Sequence, residues 1–192
     1  VYIEAARMMF GWKLDKKDPR RALRMKPTVL GASYGLTEFG MEKKYEIPKD
    51  EGKKLLETFF RTFSGMREWK TKQQKIKTYV ETIYGRKFWL NPYSKGSENN
   101  ALNSPVQGSG GDGIKIAGNR FRKLVESAGL VEDVMIINFI HDEILVECKI
   151  GTTNWVVDNL KHIMIEVAEE MHDGIPADVE INTGHSWHEA HG

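Results

Sequence analysis

The stretch IINFIHDEILVEC, residues 136–148, places a polar centre between two apolar arms. Each arm has the length of a strand, so the stretch predicts a β-hairpin. Its turn residues, His141, Asp142 and Glu143, include no glycine or asparagine, although two-residue hairpin turns favour residues that accept positive φ. This broken local rule and the repulsion between adjacent carboxylates mark a candidate functional site. Hard divalent cations bind carboxylate oxygens, so the turn predicts either a metal site or an ordinary solvent-exposed turn.

The composition excludes several classes of protein. The 192 residues are 40% hydrophobic with a net charge of +1, so a core can form and bulk charge identifies no partner. The single cysteine, Cys148, excludes a disulfide framework and a cysteine-rich zinc site. No apolar run reaches the length of a membrane span, and no signal peptide is visible. Because Val1 is not Met and lies within a helical pattern, we expect a fragment or a processed product.

Lysine and arginine are concentrated in residues 13–26 and 67–77, with aromatic residues nearby. Basic segments with aromatic neighbours suit a phosphate-bearing partner. A solvated helix face is the alternative interpretation, and charge alone favours it.

Hydrophobic periodicity divides the chain into a helical first part and a mixed second part. Asp18 and Pro19 predict the start of one helix, within which Pro27 removes a backbone hydrogen bond. Tyr84–Gly85 is the predicted centre of a second hairpin. Further predicted elements are helices at 2–10, on both sides of a break at residues 64–65, at 101–127 and at about 152–172, a loop at 91–99, and strands at 133–140, 144–149 and 177–182. This order predicts an α+β fold with a boundary near residue 90.

Three motifs follow one another along the chain. They are Lys26-x7-Tyr34-Gly35, Asn103-x-Pro105-x-Gln107-Gly108 and His141-Asp142-Glu143. Together they resemble the C-terminal part of a family A DNA polymerase, the DNA polymerase I type, over nearly the whole chain. The segment TYVETIYGRK resembles the hairpin before the long palm helix of that family, and TGHSWHEAH resembles its C-terminal end.

The resemblance implies an α+β architecture with a helical fingers subdomain and a palm whose small antiparallel sheet packs on helices. Fingers helices are expected at 1–78, a hairpin and linker at 79–100, and part of the palm at 101–192. The implied partners are primer–template DNA and a deoxynucleoside triphosphate (dNTP), without a membrane. The implied location is the cytoplasm of a bacterium or of a virus-infected host cell.

The implied reaction is DNA synthesis, in which the primer 3′-hydroxyl attacks the α-phosphate of a dNTP with the help of two Mg²⁺ ions. The resemblance makes Asp142 a catalytic metal ligand, and it makes Glu143 and His141 supporting catalytic groups at the primer terminus. A second metal-binding Asp of the family lies upstream of the fingers, before Val1. We therefore expect that this chain alone does not polymerise, and that an upstream polymerase fragment or subunit completes it.

Four residues of one predicted helix are implied to bind the nucleotide. Lys26 would bind the departing phosphates and is therefore also counted as a catalytic residue. Its compact ammonium group suits the negative charge of those phosphates. The alternative is an ordinary lysine that faces solvent. Leu30 would form a wall beside the sugar. Tyr34 would stack at the templating position, or else be a core aromatic, and Gly35 would leave room beside it.

The remaining implied contacts are with DNA, and His141 makes one of them at the primer terminus. Asn103 and Gln107 lie four positions apart, so they share a helix face that would touch the minor groove of the primer terminus. The alternative is a helix start, with Asn103 or Ser104 as the cap and Pro105 at the first position. Arg86 would contact the DNA backbone, or else be a surface arginine of the hairpin.

Three positions depart from the family pattern. Ala22 stands where the family has an arginine that holds the triphosphate, and an α-helix would turn Arg21 and Arg24 well over 100° away from that face. Either Pro27 re-aims this turn, or triphosphate binding relies on fewer contacts. Leu30 replaces an aromatic residue, which predicts altered acceptance of dideoxynucleotides. Asn99 replaces an arginine that faces DNA. These departures favour a divergent lineage, such as a viral one.

Other functions remain open at this stage. The chain could be the non-catalytic, DNA-binding half of a split polymerase, or it could belong to a single-subunit RNA polymerase; a metal-dependent nuclease is less well supported. The Asn-x-Pro-x-Gln-Gly run and Glu143 favour DNA synthesis. His185, His188 and His191 recur every third residue. Because the tail offers no acidic or cysteine partner, an ordinary polar tail is favoured over a metal site.

Overall fold

The structure, a computed structural model, describes residues 1–191. It contains helices and two small antiparallel sheets of two strands each, so the α+β class is confirmed. The chain forms two compact units, one of Val1–Glu81 with Arg86–Val106, the other of Thr82–Gly85 with the residues from Gln107 onward. The boundaries of fingers and palm at 78 and 100 stay a prediction. Within residues 1–191, no helix combines the length and the apolar character that a membrane crossing requires.

The first unit is mainly helical. Its core is formed by fully buried Met25, Met41 and Ile47 together with Phe59. The predicted helix at 2–10 and the predicted break at residues 64–65 are confirmed, and β1 and β2 form the predicted hairpin around Tyr84–Gly85. The elements are α1 (Tyr2–Phe10), a π-helical segment (Arg21–Met25), α2 (Lys26–Ser33), α3 (Glu38–Tyr45), α4 (Lys49–Thr62), α5 (Ser64–Gln74), β1 (Tyr79–Glu81) and β2 (Lys87–Trp89).

The helix that leads into α2 changes its hydrogen-bond pattern before Pro27. Asp18 accepts a hydrogen bond from the Arg20 amide at 2.9 Å, so the predicted entry at Asp18 is confirmed. The backbone N–H of Lys26 then donates to the carbonyl of Arg21, five residues earlier, as a π-helix requires. Because Pro27 has no N–H, the chain can insert this wide turn where a helical hydrogen bond is missing in any case.

The long helix α6 begins earlier than predicted, at Ser97, and ends at Ser127. Pro105 therefore lies inside the helix, and the interpretation of Asn103 or Ser104 as its N-cap is wrong. An interior proline costs about 3 kcal/mol. Buried Ala101 and Leu102 on one side of it, and buried Ala117 and Phe121 on the other, supply apolar packing that offsets this cost.

The second unit places a β-hairpin on two helices. Its strands are β3 (Val134–Ile140) and β4 (Glu143–Cys148), with a bulge between Ile136 and Asn138, and its core includes Phe121, Leu160, Ile163 and Val167. The other elements are a 3₁₀ turn (Ile150–Thr152), α7 (Thr153–Met171) and α8 (Trp187–His191).

The strand predicted at 177–182 is wrong, because these residues form no regular secondary structure. Their backbone amides find side-chain partners instead of a neighbouring strand. The Ala177 amide donates to Glu169 Oε1 at 3.4 Å, and the Val179 amide donates to Asp178 Oδ1 at 2.9 Å. An alternating sequence is not sufficient for a strand when the segment does not pair with another strand.

Two glycines of α6 are explained by close packing. A Cβ at Gly118 would lie 2.5 Å from the Phe139 ring on β3, and one at Gly113 would lie 3.1 Å from the sulfur of Met171 on α7. The Cβ position of Gly111, by contrast, has no atom within 4 Å. The strand that leads into the acidic turn therefore packs closely on α6 because Gly118 has no side chain.

This packing can be tested with two alanine substitutions in the same helix. Both variants gain helix propensity, but only Gly118→Ala meets the Phe139 ring, so we expect it to be less stable than Gly111→Ala by about 1–3 kcal/mol. Urea denaturation followed by circular dichroism measures both free energies of unfolding. Equal values would show that the ring moves away without cost.

Candidate active-site residues

The acidic turn joins β3 and β4 in two residues. Ile140 pairs with Glu143, which leaves His141 and Asp142 as the turn. His141 has a φ of 55°, which lies in the left-handed region. The turn contains neither glycine nor asparagine, the residues that favour this region. Histidine tolerates this region better than most residues, but the conformation still costs on the order of 1 kcal/mol or more. Backbone strain of this kind is typical of functional sites.

The three polar residues of the turn are exposed, above an apolar base. His141, Asp142 and Glu143 face water, while Ile136 and Ile144 pack against the core of the second unit. The carboxylates are therefore accessible to a ligand. Among residues 1–191, no group of three or more His, Cys, Asp or Glu side chains is arranged to hold a metal ion. Any metal at the turn would need further oxygen ligands from elsewhere.

The predicted nucleotide-binding residues lie along α2 in the first unit. Lys26 is exposed at the start of the helix, Leu30 is half-buried one turn later, and Tyr34 is half-buried at its end. Gly35 has a φ of 76°, which favours glycine. A Cβ at Gly35 would lie 2.5 Å from Asn99 Oδ1, so Asn99 packs closely against this glycine. The room predicted beside Gly35 for the templating position stays a prediction.

The π-helical segment changes which residue lies one turn before Lys26. In an α-helix that residue would be Ala22, but the bond from Lys26 to Arg21 makes it Arg21. Together with Lys16 and Leu30, Arg21 lines a cleft of about 470 Å³, and its guanidinium lies 5.6 Å from the centre of the Tyr2 ring. The orientation that an α-helix would give Arg21 therefore does not apply, and the π-helical segment agrees with the alternative of a turn that is re-aimed at Pro27. The physical reason is the extra residue in the turn.

The flanking arginine is already engaged elsewhere. Arg24 forms an ion pair with Glu51 of α4 and also donates to the Leu23 carbonyl at 3.1 Å. Arg20 pairs with Asp18 at 2.8 Å and lies over the Trp12 ring. Of these arginines, Arg21 is the one that lines the cleft beside Leu30.

The predicted DNA-binding residues lie on α6 and on the β1–β2 hairpin. Asn103 and Gln107 are four positions apart in α6, and Gln107 is exposed. The Oδ1 atom of Asn103 is buried and has no hydrogen-bond partner among the described residues. Arg86 is exposed after the turn, and its guanidinium lies 4.5 Å from the centre of the Phe88 ring.

One contact of the acidic turn was missed in the sequence. The preference for an ordinary polar tail over a metal site stays a prediction, but its premise that the tail has no acidic partner is wrong, because Glu189 lies within the tail and His191 Nδ1 lies 3.3 Å from Glu143 Oε1. Glu143 is 48 residues away in the chain, which is why local spacing did not reveal it. The pattern Ser186-x-x-Glu189, typical of a helix start, was the available signal for α8.

Comparison with known proteins gives consistent matches over the whole chain. The family model described as DNA polymerase family A matches residues 1–189. DNA polymerase I of Mycobacterium leprae is 29% identical over 192 residues, which cover 93% of this chain and 20% of that protein. The thermostable DNA polymerase I of Thermus thermophilus is 29% identical over 202 residues, covering 100% of this chain and 23% of that protein. The chain thus spans about a fifth of the length of these relatives.

A solved structure agrees in fold as well as in sequence. The POL domain of Pol1 from M. smegmatis, in complex with DNA primer-template and dNTP, has a TM-score of 0.86 and 26% identity. The match covers 100% of this chain and 35% of that one. The relatives named here are bacterial, and the viral lineage stays a prediction. Given the three ordered motifs, the fold and the match over residues 1–189, this chain belongs to DNA polymerase family A.

Proposed function

We propose that this chain is the part of a template-directed DNA polymerase that handles the incoming nucleotide and carries one catalytic carboxylate. The reaction is nucleotidyl transfer from a dNTP to a primer 3′-hydroxyl, with pyrophosphate as the leaving group. The observation that carries the proposal is the strained, exposed turn at His141–Asp142 in a chain that matches family A over residues 1–189. The M. smegmatis complex, which holds primer-template and dNTP, supports the same substrates here.

The turn fits Mg²⁺ as an incomplete site. Mg²⁺ is commonly bound by one or two carboxylates together with water and substrate phosphates, so a full cage from one chain is not needed. Asp142 would be the direct ligand, and Glu143 would stay beside it. When bound, the metal would supply positive charge for the attacking and leaving oxygens. A second carboxylate would come from an upstream part of the polymerase.

The first unit supplies the charge that the triphosphate needs. Arg21 and Lys26 lie one helical turn apart, and Lys16 lines the same cleft as Arg21. Lys16 and Arg21 line this cleft together with Leu30, and Lys26 lies one turn before Leu30 on α2. This arrangement suits a nucleotide whose sugar packs on the aliphatic side chain and whose phosphates reach the charged groups. Positioned cations stabilise the charge that develops on the departing pyrophosphate.

Asn103, Gln107 and Arg86 would hold the DNA. An amide N–H₂ donates to the minor-groove acceptors that all base pairs share in similar positions, so these contacts would test pair shape rather than sequence. His141 would donate to the primer terminus from its fixed backbone position in the turn. Arg86 would contact a phosphate and thus add affinity without sequence preference.

The Arg21 assignment leads to a direct prediction. Arg21→Ala is expected to raise the KM for dNTP by about 10-fold or more, because a hydrogen bond to a charged group contributes about 1.5–3 kcal/mol. Steady-state primer extension measures the change. Arg20→Ala is the matched control, because Arg20 pairs with Asp18 outside the cleft. An equal rise in both variants would remove Arg21 from the nucleotide site.

The proposed function is tested by reconstitution. The chain is combined with an upstream polymerase segment that carries an acidic residue, and extension of a labelled primer is measured with dNTPs and with ribonucleotides. DNA-specific extension only when both parts are present supports the proposal. Extension by the chain alone contradicts the need for an upstream part, and preference for ribonucleotides favours the RNA polymerase alternative. DNA binding without any extension by the combined parts favours the non-catalytic alternative.

A further inference from the structure

The short helix α8 reaches the acidic turn through one side chain. His191, on the last turn of α8, places Nδ1 at 3.3 Å from Glu143 Oε1. Both residues belong to the second unit. The proposed function leaves this contact without a role.

Local contacts hold α8 in place, although a helix of five residues is not stable by itself. Ser186 Oγ accepts a hydrogen bond from the Glu189 amide at 3.3 Å, and Glu189 Oε2 accepts one from the His185 amide at 2.7 Å. This reciprocal pattern closely resembles a capping box. Gly184 permits it, because a Cβ there would lie 2.7 Å from the Cβ of Glu189. The sequence from Gly184 to Glu189 thus fixes the direction of α8.

The imidazole of His191 is also held by an aromatic neighbour. Its ring centre lies 5.3 Å from that of Trp187, at an angle of 38° between the ring planes. The two residues are four positions apart and therefore lie on the same face of α8. The ring is restricted on one side by Trp187 and on its edge by the Glu143 carboxylate.

The chemistry of the turn gives this contact a role. Asp142 and Glu143 are adjacent carboxylates that repel each other, and under the proposed function Asp142 is the direct metal ligand while Glu143 stays beside it. With the hydrogen on Nδ1, His191 donates to Glu143 Oε1 and so limits where that carboxylate points. We propose that His191 is a positioning residue that fixes Glu143, so that Asp142 remains the carboxylate that faces the metal. This proposal rests on the proposed function.

The exposure of His191 and Glu143 indicates whether their contact affects folding stability or the reaction rate. The side chain of His191 is 57% exposed and that of Glu143 is 48% exposed. Pairs at this exposure add little to folding stability. Misplacing a group in an active site, in contrast, changes the rate even when the fold is intact. The effect of His191 is therefore a change of rate rather than of stability.

The contact itself is tested without any polymerase activity. Nitrogen-15 NMR spectra of the histidine side chains are recorded for the 192-residue chain with and without Glu143→Gln. The His191 resonances are expected to shift, while those of His188, which lies on the same helix, are expected to stay in place. Unchanged His191 resonances would overturn the proposal, whether or not the chain forms part of a polymerase.

The role is tested by primer extension in the reconstituted polymerase. His191→Ala is expected to lower kcat about 3- to 10-fold, because one oriented hydrogen bond is lost. The KM for dNTP should stay nearly unchanged. His191→Asn should restore kcat, because its amide nitrogen replaces Nδ1 as a donor. In a Glu143→Gln background the effect of His191→Ala should be smaller, as expected for two residues that act through one contact.

The outcomes separate this inference from the proposed function. His188→Ala is the matched control and should leave kcat unchanged. If the unsubstituted protein extends primers and His191→Ala does so equally fast, the positioning role is wrong while the proposed function stands. If the unsubstituted protein does not extend primers, the proposed function fails and the positioning role fails with it.

Discussion

Asp142→Asn is expected to reduce primer extension by a factor of about 10³ or more in the reconstituted polymerase. The substitution keeps the size of the side chain but removes the charge that would bind Mg²⁺ and thereby stabilise the transition state. Single-turnover extension of a labelled primer measures the loss. DNA binding should change much less than the rate, because the carboxylate acts on the reacting phosphate and not on the duplex.

A matched aspartate distinguishes this effect from a general loss of charge. Asp158 is exposed on α7 in the same unit, so Asp158→Asn changes the net charge equally. We expect this control to extend primers at the normal rate. Thermal unfolding of Asp142→Asn should also remain near that of the unsubstituted chain, because Asp142 is an exposed turn residue. Full activity of Asp142→Asn would remove the acidic turn from the catalytic site.

Lys26→Ala is expected to lower kcat/KM for dNTP about 100- to 1,000-fold. Removing one group that stabilises developing charge has an effect of this size in other enzymes. Because the charge on the pyrophosphate grows during the reaction, most of the loss should appear in kcat. Lys26→Arg should recover part of the rate, since it keeps the charge but not the compact ammonium geometry. Rapid-quench measurements at saturating dNTP give kcat directly.

The control for Lys26 is another exposed helix lysine of the first unit. Lys43 lies on α3, and Lys43→Ala should leave kcat/KM within about twofold of normal, as is usual for surface substitutions. In the double variant of Arg21 and Lys26, we expect losses that are not additive, because both cations would act on one triphosphate. Strictly additive losses would mean that the two residues act independently.

The sequence predicts the parts of this fold that local patterns determine. The two apolar arms at 136–148 give β3 and β4, because a strand pair joined by a short turn is decided by neighbours in the chain. The break at residues 64–65 and the helix at 2–10 follow from local periodicity. The candidate residues Asp142, Lys26 and Gln107 were found through ordered motifs, and the family membership that those motifs imply is confirmed.

The features that were missed depend on distant packing or on an unusual hydrogen bond. The start of α6 at Ser97 depends on buried residues on both sides of Pro105, which outweigh the local signal of the proline. The tail reaches Glu143 across 48 positions. The π-helical segment is set by one missing amide at Pro27 and leaves no periodic trace in five residues. Local rules describe none of these interactions.

The π-helical segment also affects how insertions and deletions are tolerated in this chain. A π-turn is equivalent to one residue inserted into an α-helix, and the side chain of Leu23 within it is largely exposed, at 59%. Deleting that single codon would return the segment to an α-helical register and place Arg21 four positions before Lys26. This deletion would therefore keep the same pair of cations one turn apart. If a relative has an arginine four positions before its lysine, an alignment without a gap places that arginine opposite Ala22, and its correspondence to Arg21 is lost.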